Sequence, residues 1–118
     1  MGKYWFKCIQ LKILYWWRSP KRILKNLLPD IRLIARDCGY AIAIHGNIKR
    51  DIDLIAVPWI EKAKSAEELI ERIEKKINWF HTSENPTNKP HGRKAWVLVT
   101  HGVRTYIDLS VLERKNGK

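Results

Sequence analysis

The amino-acid sequence predicts a small α+β fold, in which a mixed β-sheet of about four strands carries helices on one face. Two observations predict it. Apolar residues recur at helical spacing in the segments 20–38 and 66–80, and four short apolar runs bounded by turn residues have the length of strands. The predicted order is helix, strand, turn, strand, helix, strand, strand. No internal repeat and no second folded domain are apparent.

The first helical segment has clear start and stop signals. Ser19 is a favourable N-cap residue, and Pro20 suits the first turn. Pro29 interrupts the apolar spacing, so 20–38 is expected to be a broken helix or two short helices. Gly39 supplies the stop.

The second helix is predicted over 66–80, behind a capping box formed by Ser65 and Glu68. A polar loop with two prolines, SENPTNKPHG, follows it. Because both helices are predicted to cover one face of the sheet, the opposite face is free to hold a functional site. The four predicted strands are 40–44, 51–57, 95–101 and 105–112.

Composition limits the kinds of partner. The 118 residues are 45% hydrophobic and carry a net charge of +11, with 11 Lys and Arg against 2 acids in residues 1–50 and 12 against 10 in 51–118. Such a basic half suggests an anionic partner, namely nucleic acid, nucleotide phosphate, an acidic protein or a lipid surface; the alternative is simple solubility. The two cysteines match no metal or disulfide pattern, so free thiols inside a cell are expected.

Residues 1–19 are predicted to be a basic aromatic segment that precedes the domain at 20–118. The stretch YWFKCIQLKILYWW is too short and too charged to span a membrane. It can pack on the domain, bind a partner protein, stack on nucleic-acid bases or lie at a membrane surface. The sequence leaves these alternatives open.

Three aspartates are the candidate catalytic and metal-binding residues. Asp51 and Asp53 lie two apart in a predicted strand, so both side chains point to one face, and Asp108 joins them if its strand is a neighbour. Clustered carboxylates repel one another unless a cation relieves them, and hard oxygen ligands favour Mg²⁺ or Mn²⁺. Two such ions can align a triphosphate with an attacking oxygen. The alternative is that Asp51 caps the turn and Asp108 pairs with Arg104 or a nearby lysine.

Basic residues before the third predicted strand can bind phosphates. Lys89 and Arg93 are the main candidates, because cations on a loop beside an acidic metal site suit a nucleotide. The alternative is a solvated loop. The four histidines lack zinc spacing, and no G-x-S-x-G elbow surrounds Ser110, so hydrolase chemistry is rejected.

An apolar strand, a glycine turn, an Asp-x-Asp pair on the next strand and a third acid on a later strand together resemble the polymerase-beta-like nucleotidyltransferase superfamily. The stretch HGNIKRDIDLIAVPW, with KPHGRKAW and YIDLS downstream, is also similar to a family of small phage and prophage proteins. The resemblance covers roughly residues 31–112. In this chain the pattern reads AIAI, His45-Gly46-Asn47, Asp51-Ile52-Asp53 and Tyr106-Ile107-Asp108.

The resemblance implies roles for particular residues. Gly46 and Asn47 would hold the terminal phosphates of a nucleotide, although Asn47 stands where the superfamily usually has Ser or Gly. Asp51 and Asp53 would ligate Mg²⁺ or Mn²⁺. Asp108 would be the third ligand and would help to activate the attacking hydroxyl.

The expected function is therefore that of a phage-type minimal nucleotidyltransferase-like protein in the cytoplasm of a bacterial host. It would bind an NTP with metal and, if active, transfer a nucleotidyl group to a hydroxyl of an unknown acceptor. The alternative is a catalytically inactive phage-derived protein that inhibits a host factor, for example a nucleic-acid defence complex, through its basic aromatic surface. A direct nucleic-acid binder is a further possibility, with affinity that falls steeply with salt.

Overall fold

The computed structural model describes residues 19–46, 48, 50–82 and 86–113. In this part of the chain, two α-helices and six strands form an α+β fold with one mixed sheet. Neither of these helices is long and apolar enough to cross a bilayer. The elements in order are α1 (Pro20–Cys38), β1 (Tyr40–Ile44), β2 (Ile52–Pro58), α2 (Ala66–Ile77), β3 (Phe80–His81), β4 (Thr87–Lys89), a 3₁₀ turn (Pro90–Gly92), β5 (Arg93–Val99) and β6 (Ile107–Leu112).

The strand order in the sheet is β1-β2-β6-β5-β3, and β4 also pairs with β5. The central strands β2 and β6 are parallel, whereas every other described pairing is antiparallel. The parallel register aligns Ile52 with Ile107 and Asp53 with Asp108. Strands that are far apart in sequence therefore become neighbours at the point where both carry an aspartate.

Both helices contribute to one hydrophobic core, which they form with a single face of the sheet. Alternate residues of β2 and β6 supply the sheet side of this core, because successive side chains of a strand point to opposite faces. Burial of each large aliphatic side chain contributes about 1.5–3 kcal/mol. Fully buried members include Ile23, Ile31, Ile52, Leu54, Leu69, Ile73, Ile107 and Leu109.

Helix α1 corrects one expectation, because it runs unbroken through Pro29. Pro29 is exposed, and the buried residues Leu27 and Ile31 flank it on the core side. Packing on both sides of the proline therefore offsets the lost backbone hydrogen bond. Ser19 caps the helix at its start, as predicted. Gly39 ends it in the left-handed region, with φ 89°.

The sheet has six described strands rather than about four. Helix α2 ends at Ile77 instead of residue 80, because Asn78 adopts the left-handed conformation with φ 61° and ψ 40°. Phe80 then begins β3, and β4 lies inside the expected polar loop. These strands have only two and three residues, none of them buried, so their backbone pairing with β5 leaves no hydrophobic pattern in the sequence.

Candidate functional site

The open face of the sheet, opposite the helices, carries two adjacent carboxylates. Asp53 and Asp108 are register partners on the parallel strands β2 and β6, so both side chains point to this face. Their side chains are 50% and 22% exposed, respectively, whereas the flanking Ile52 and Ile107 are fully buried. The strand order thus brings together two of the three aspartates that the sequence singled out.

Asp51 lies near this pair, and its carboxylate is bonded to Tyr106. The Ile52 N–H donates to the Tyr106 carbonyl at 3.0 Å, which extends the parallel pairing by one residue and sets Asp51 beside Tyr106. A hydrogen bond with the Asp51 carboxylate raises the pKa of the Tyr106 phenol, and the charges of Asp51, Asp108 and Asp53 raise this pKa further. Tyr106 therefore lies within the electrostatic field of all three aspartates.

Lys89 forms an ion pair with Asp108. A nearby lysine is one of the two partners that the sequence suggests for this aspartate. The Lys89 Nζ donates to Asp108 Oδ2 at 3.1 Å. Oδ1 of the same carboxylate is buried and has no hydrogen-bond partner among the described residues. An unpaired buried acceptor costs about 1–3 kcal/mol, so such an oxygen is typical of a position that a ligand or cation completes.

The carboxylates meet some of the requirements of a divalent-cation site, but they are not grouped as such a site needs. Within the described residues, no three His, Cys, Asp or Glu side chains are grouped closely enough to hold a metal ion as they stand. Asp53 and Asp108 nevertheless offer hard oxygen donors side by side, and Asp108 Oδ1 is unpaired. Asp51 is held by Tyr106 instead. Asp53 and Asp108 are therefore the residues best placed to hold Mg²⁺ or Mn²⁺.

An open pocket of about 630 Å³ lies where β2 and β6 begin. Two guanidinium groups at such a pocket suit the oxygens of a phosphate, because Arg offers a fork of charged donors. Sequence reasoning did not consider Arg50 and treated Arg104 only as a partner for Asp108. Both residues lie just before a strand, and only the non-local pairing of these strands brings them to one pocket. The lining residues are Arg50, Asp51, Arg104, Thr105 and Tyr106.

The glycine turn predicted to hold phosphates lies beside Asp53. The His45 N–H donates to the Asp53 carbonyl at 2.8 Å, and His45 Nδ1 lies 3.9 Å from Asp53 Oδ2. Gly46 is exposed, has φ 69°, and has open space around the position of a Cβ. A ligand on the carboxylates can therefore approach this backbone. Asn47 lies outside the described residues.

The two predicted basic phosphate ligands have different surroundings. Lys89 is engaged by Asp108, as described above. Arg93 pairs with Leu112, four residues beyond Asp108 on β6, which is roughly 13 Å along the strand. Its Nε–H donates to the Pro90 carbonyl at 3.3 Å. Arg93 as a nucleotide ligand therefore stays a prediction that none of these contacts supports.

Two other predictions concern residues away from the carboxylates. The basic aromatic segment lies outside the described residues apart from Ser19, so its role as a contact surface stays a hypothesis. Cys38 is a buried free thiol at the end of α1, and burial raises its pKa. A raised pKa opposes formation of the reactive thiolate, in keeping with a packing role.

Comparisons of the chain with protein-family models, with curated proteins and with solved structures find no match. Function is therefore inferred from the residues of the site and their geometry.

Proposed function

We propose that this chain is a minimal phage-type nucleotidyltransferase-like protein that binds an NTP together with Mg²⁺ or Mn²⁺ on the open face of the sheet. The observation that carries the proposal is the pairing of Asp53 with Asp108 across parallel strands, with Asp51 two residues before Asp53. This arrangement matches the order of carboxylates in the superfamily that the sequence resembles. A sheet that only needed to fold would gain nothing from three like charges on one face.

Each part of the site has a role in this proposal. Asp53 and Asp108 would hold the divalent cation, and Asp51 would join them on release from Tyr106. The cation supplies positive charge that offsets the triphosphate and the charge developing in transfer. Arg50 and Arg104 would contact phosphate oxygens in the adjoining pocket.

The proposed transfer forms one bond and breaks one. The hydroxyl oxygen of the acceptor forms a bond to the α-phosphorus, while the bond from that phosphorus to the bridging β-phosphate oxygen breaks. Pyrophosphate leaves with the bonding electron pair. The hydroxyl proton passes to one of the three carboxylates of the site.

Calorimetric titration with ATP and GTP, each with and without Mg²⁺, tests the proposal. We expect binding that requires Mg²⁺ and that the Asp51→Asn/Asp53→Asn double variant loses. Asp37→Asn is the matched control, because Asp37 is an exposed carboxylate near the end of α1 and away from the open face. Nucleotide binding that the double variant retains would contradict the assignment of these aspartates.

A second candidate function has one specific observation in its favour. The Lys89 ammonium already neutralises Asp108, the residue expected to be the third metal ligand. A protein that retained this fold for recognition alone, such as an inhibitor of a host factor, would need no more than this ion pair. The same titration separates the two functions, because this candidate predicts no heat of nucleotide binding in the unmodified protein, with or without Mg²⁺.

A further inference from the structure

An apolar row, defined as Phe80, Val99 and Tyr106, is exposed at one end of the sheet. Their exposed fractions are 55%, 39% and 38%. Large apolar side chains at such exposure are common one at a time, whereas three neighbours in a row form a small apolar patch that a ligand can cover.

Strand register places the three residues side by side. Phe80 pairs with Val99 across β3 and β5. The β5–β6 pairing ends with Leu98 opposite Ile107. Val99 follows Leu98 on β5 and Tyr106 directly precedes β6, so these two residues are the next to lie opposite each other. Because Leu98 and Ile107 are fully buried on the helix side, their neighbours point to the open face. The apolar row is therefore roughly 10 Å wide, given about 4.8 Å between strands.

The apolar row adjoins the polar part of the site. Tyr106 belongs to both, because its ring ends the row and its hydroxyl bonds Asp51. Tyr106 also lines the pocket that contains Arg50 and Arg104. A ligand that covered the whole region would present a flat apolar ring to one end and an anionic group to the other.

Resting on the function proposed above, we infer that the apolar row binds the nucleobase of the nucleotide, with Phe80 and Tyr106 as its stacking surface. An aromatic base has two flat faces and polar edges, so it stacks on such rings while its edges stay in water. The phosphates then reach past Asp51 toward Arg50 and Arg104, while Asp53 and Asp108 lie two residues farther along β2 and β6. Stacking of this kind does not read the edges of the base, so discrimination between ATP and GTP is expected to be weak.

The size of the apolar row argues against a protein partner at this place. The three side chains expose a few hundred Å² at most, given the surface of one aromatic residue. A stable protein interface covers about 800 Å² on each partner. A single base is the better match to this area, and the charged groups beside Tyr106 match the rest of a nucleotide.

Titrations of ATP and of sodium tripolyphosphate, each with Mg²⁺, into the unmodified protein and three variants test the inference. We expect Phe80→Ala to weaken ATP binding by about 5- to 150-fold, the effect of losing one stacking contact, and to leave tripolyphosphate binding unchanged. Phe80→Trp, which keeps an aromatic face, should restore ATP binding. Trp59→Ala is the matched control, because Trp59 is an exposed aromatic just after β2 ends, at the opposite end of the strand from Asp51.

Several outcomes would overturn the inference. If Phe80→Ala leaves ATP affinity unchanged, or weakens tripolyphosphate equally, the base does not stack there, although nucleotide binding itself stands. If the unmodified protein binds neither ATP nor tripolyphosphate, the proposed function fails and this inference fails with it. Sedimentation gives the third outcome: a dimer that Phe80→Ala dissociates would make the apolar row an interface between two copies. Circular dichroism of each variant confirms that it is folded.

Discussion

The two faces of the sheet differ most clearly within β6. Ile107 and Leu109 are fully buried against the helices. Asp108 lies between them and points to the opposite face, where it meets Asp53 of β2 and Lys89 of β4. The same strand therefore supports the core through Ile107, Leu109 and Val111 and presents one charge, that of Asp108, on the opposite face.

The difference between the faces separates stability from function. On the helix face, most positions gain apolar contact, so substitutions there should affect folding first. On the open face, Asp53 and Asp108 are register partners and Asp51 lies two residues before Asp53. Lys89 forms an ion pair with Asp108, and the partly exposed Tyr106 bonds Asp51. Charges placed together in this way oppose folding, so these aspartates are candidates for a binding role.

Substitution of a core residue on the helix face should give the largest change in stability. Ile107→Ala removes most of a fully buried side chain between Tyr106 and Asp108. We expect the free energy of unfolding to fall by about 3 kcal/mol, from lost burial and the cavity that remains. Urea denaturation followed by circular dichroism measures this. The control is Val99→Ala on the open face, which should change the free energy of unfolding by less than about 1 kcal/mol. Equal losses would contradict the division between the faces.

The helix face was largely predictable from the sequence because its signals are local. The apolar spacing of α1 and α2 and the caps at Ser19 and Ser65 need only neighbouring residues. The same reasoning failed at Pro29, where contacts from elsewhere in the fold override the local break. It also failed at Asn78, whose left-handed conformation ends α2 before Phe80.

The open face was predictable only in part, because its geometry depends on strand order. Period-two alternation placed Asp51 and Asp53 on one face, but it did not establish that β6 lies beside β2. The pocket residues Arg50 and Arg104 precede two strands that are more than fifty residues apart in sequence. Nothing local marks them as neighbours, and the same holds for the apolar row.

Alkaline pH should lower the stability of the protein mainly through Tyr40 on the helix face and less through Tyr106 on the open face. Tyr40 is buried on the helix side and donates to the Lys64 carbonyl at 2.6 Å. Burial, with a smaller effect of Glu113, raises the pKa of Tyr40 to about 12. The unfolded chain loses this proton near pH 10 while the folded chain keeps it. Stability is therefore complete below pH 10 and falls between about pH 10 and 12, by roughly 2–3 kcal/mol.

Urea denaturation across this pH range measures the effect. Tyr40→Phe should flatten the decline, at a cost of about 1 kcal/mol at pH 7 from the lost hydrogen bond. Tyr106→Phe is the control from the open face, where the phenol is partly exposed and should contribute less to the decline. A steep decline that Tyr40→Phe leaves unchanged would assign the pH dependence to another group.

The Lys89–Asp108 ion pair should have the smallest effect on stability and the greatest bearing on the site. Lys89→Met keeps the length of the side chain and removes its charge, which leaves a partly buried carboxylate unpaired. We expect the free energy of unfolding to fall by about 1 kcal/mol. The loss should shrink in the Lys89→Met/Asp108→Asn double variant, because no negative charge then remains to be neutralised.

Addition of Mg²⁺ to these variants connects the ion pair to the proposed metal site. If Asp108 and Asp53 can share a divalent cation, Mg²⁺ should raise the melting temperature of Lys89→Met more than that of the unmodified protein, because the cation replaces the ammonium. The Lys89→Met/Asp108→Asn variant should not respond. Identical shifts in all three proteins would indicate general screening by salt and would favour the reading in which Lys89 permanently takes the place of a metal.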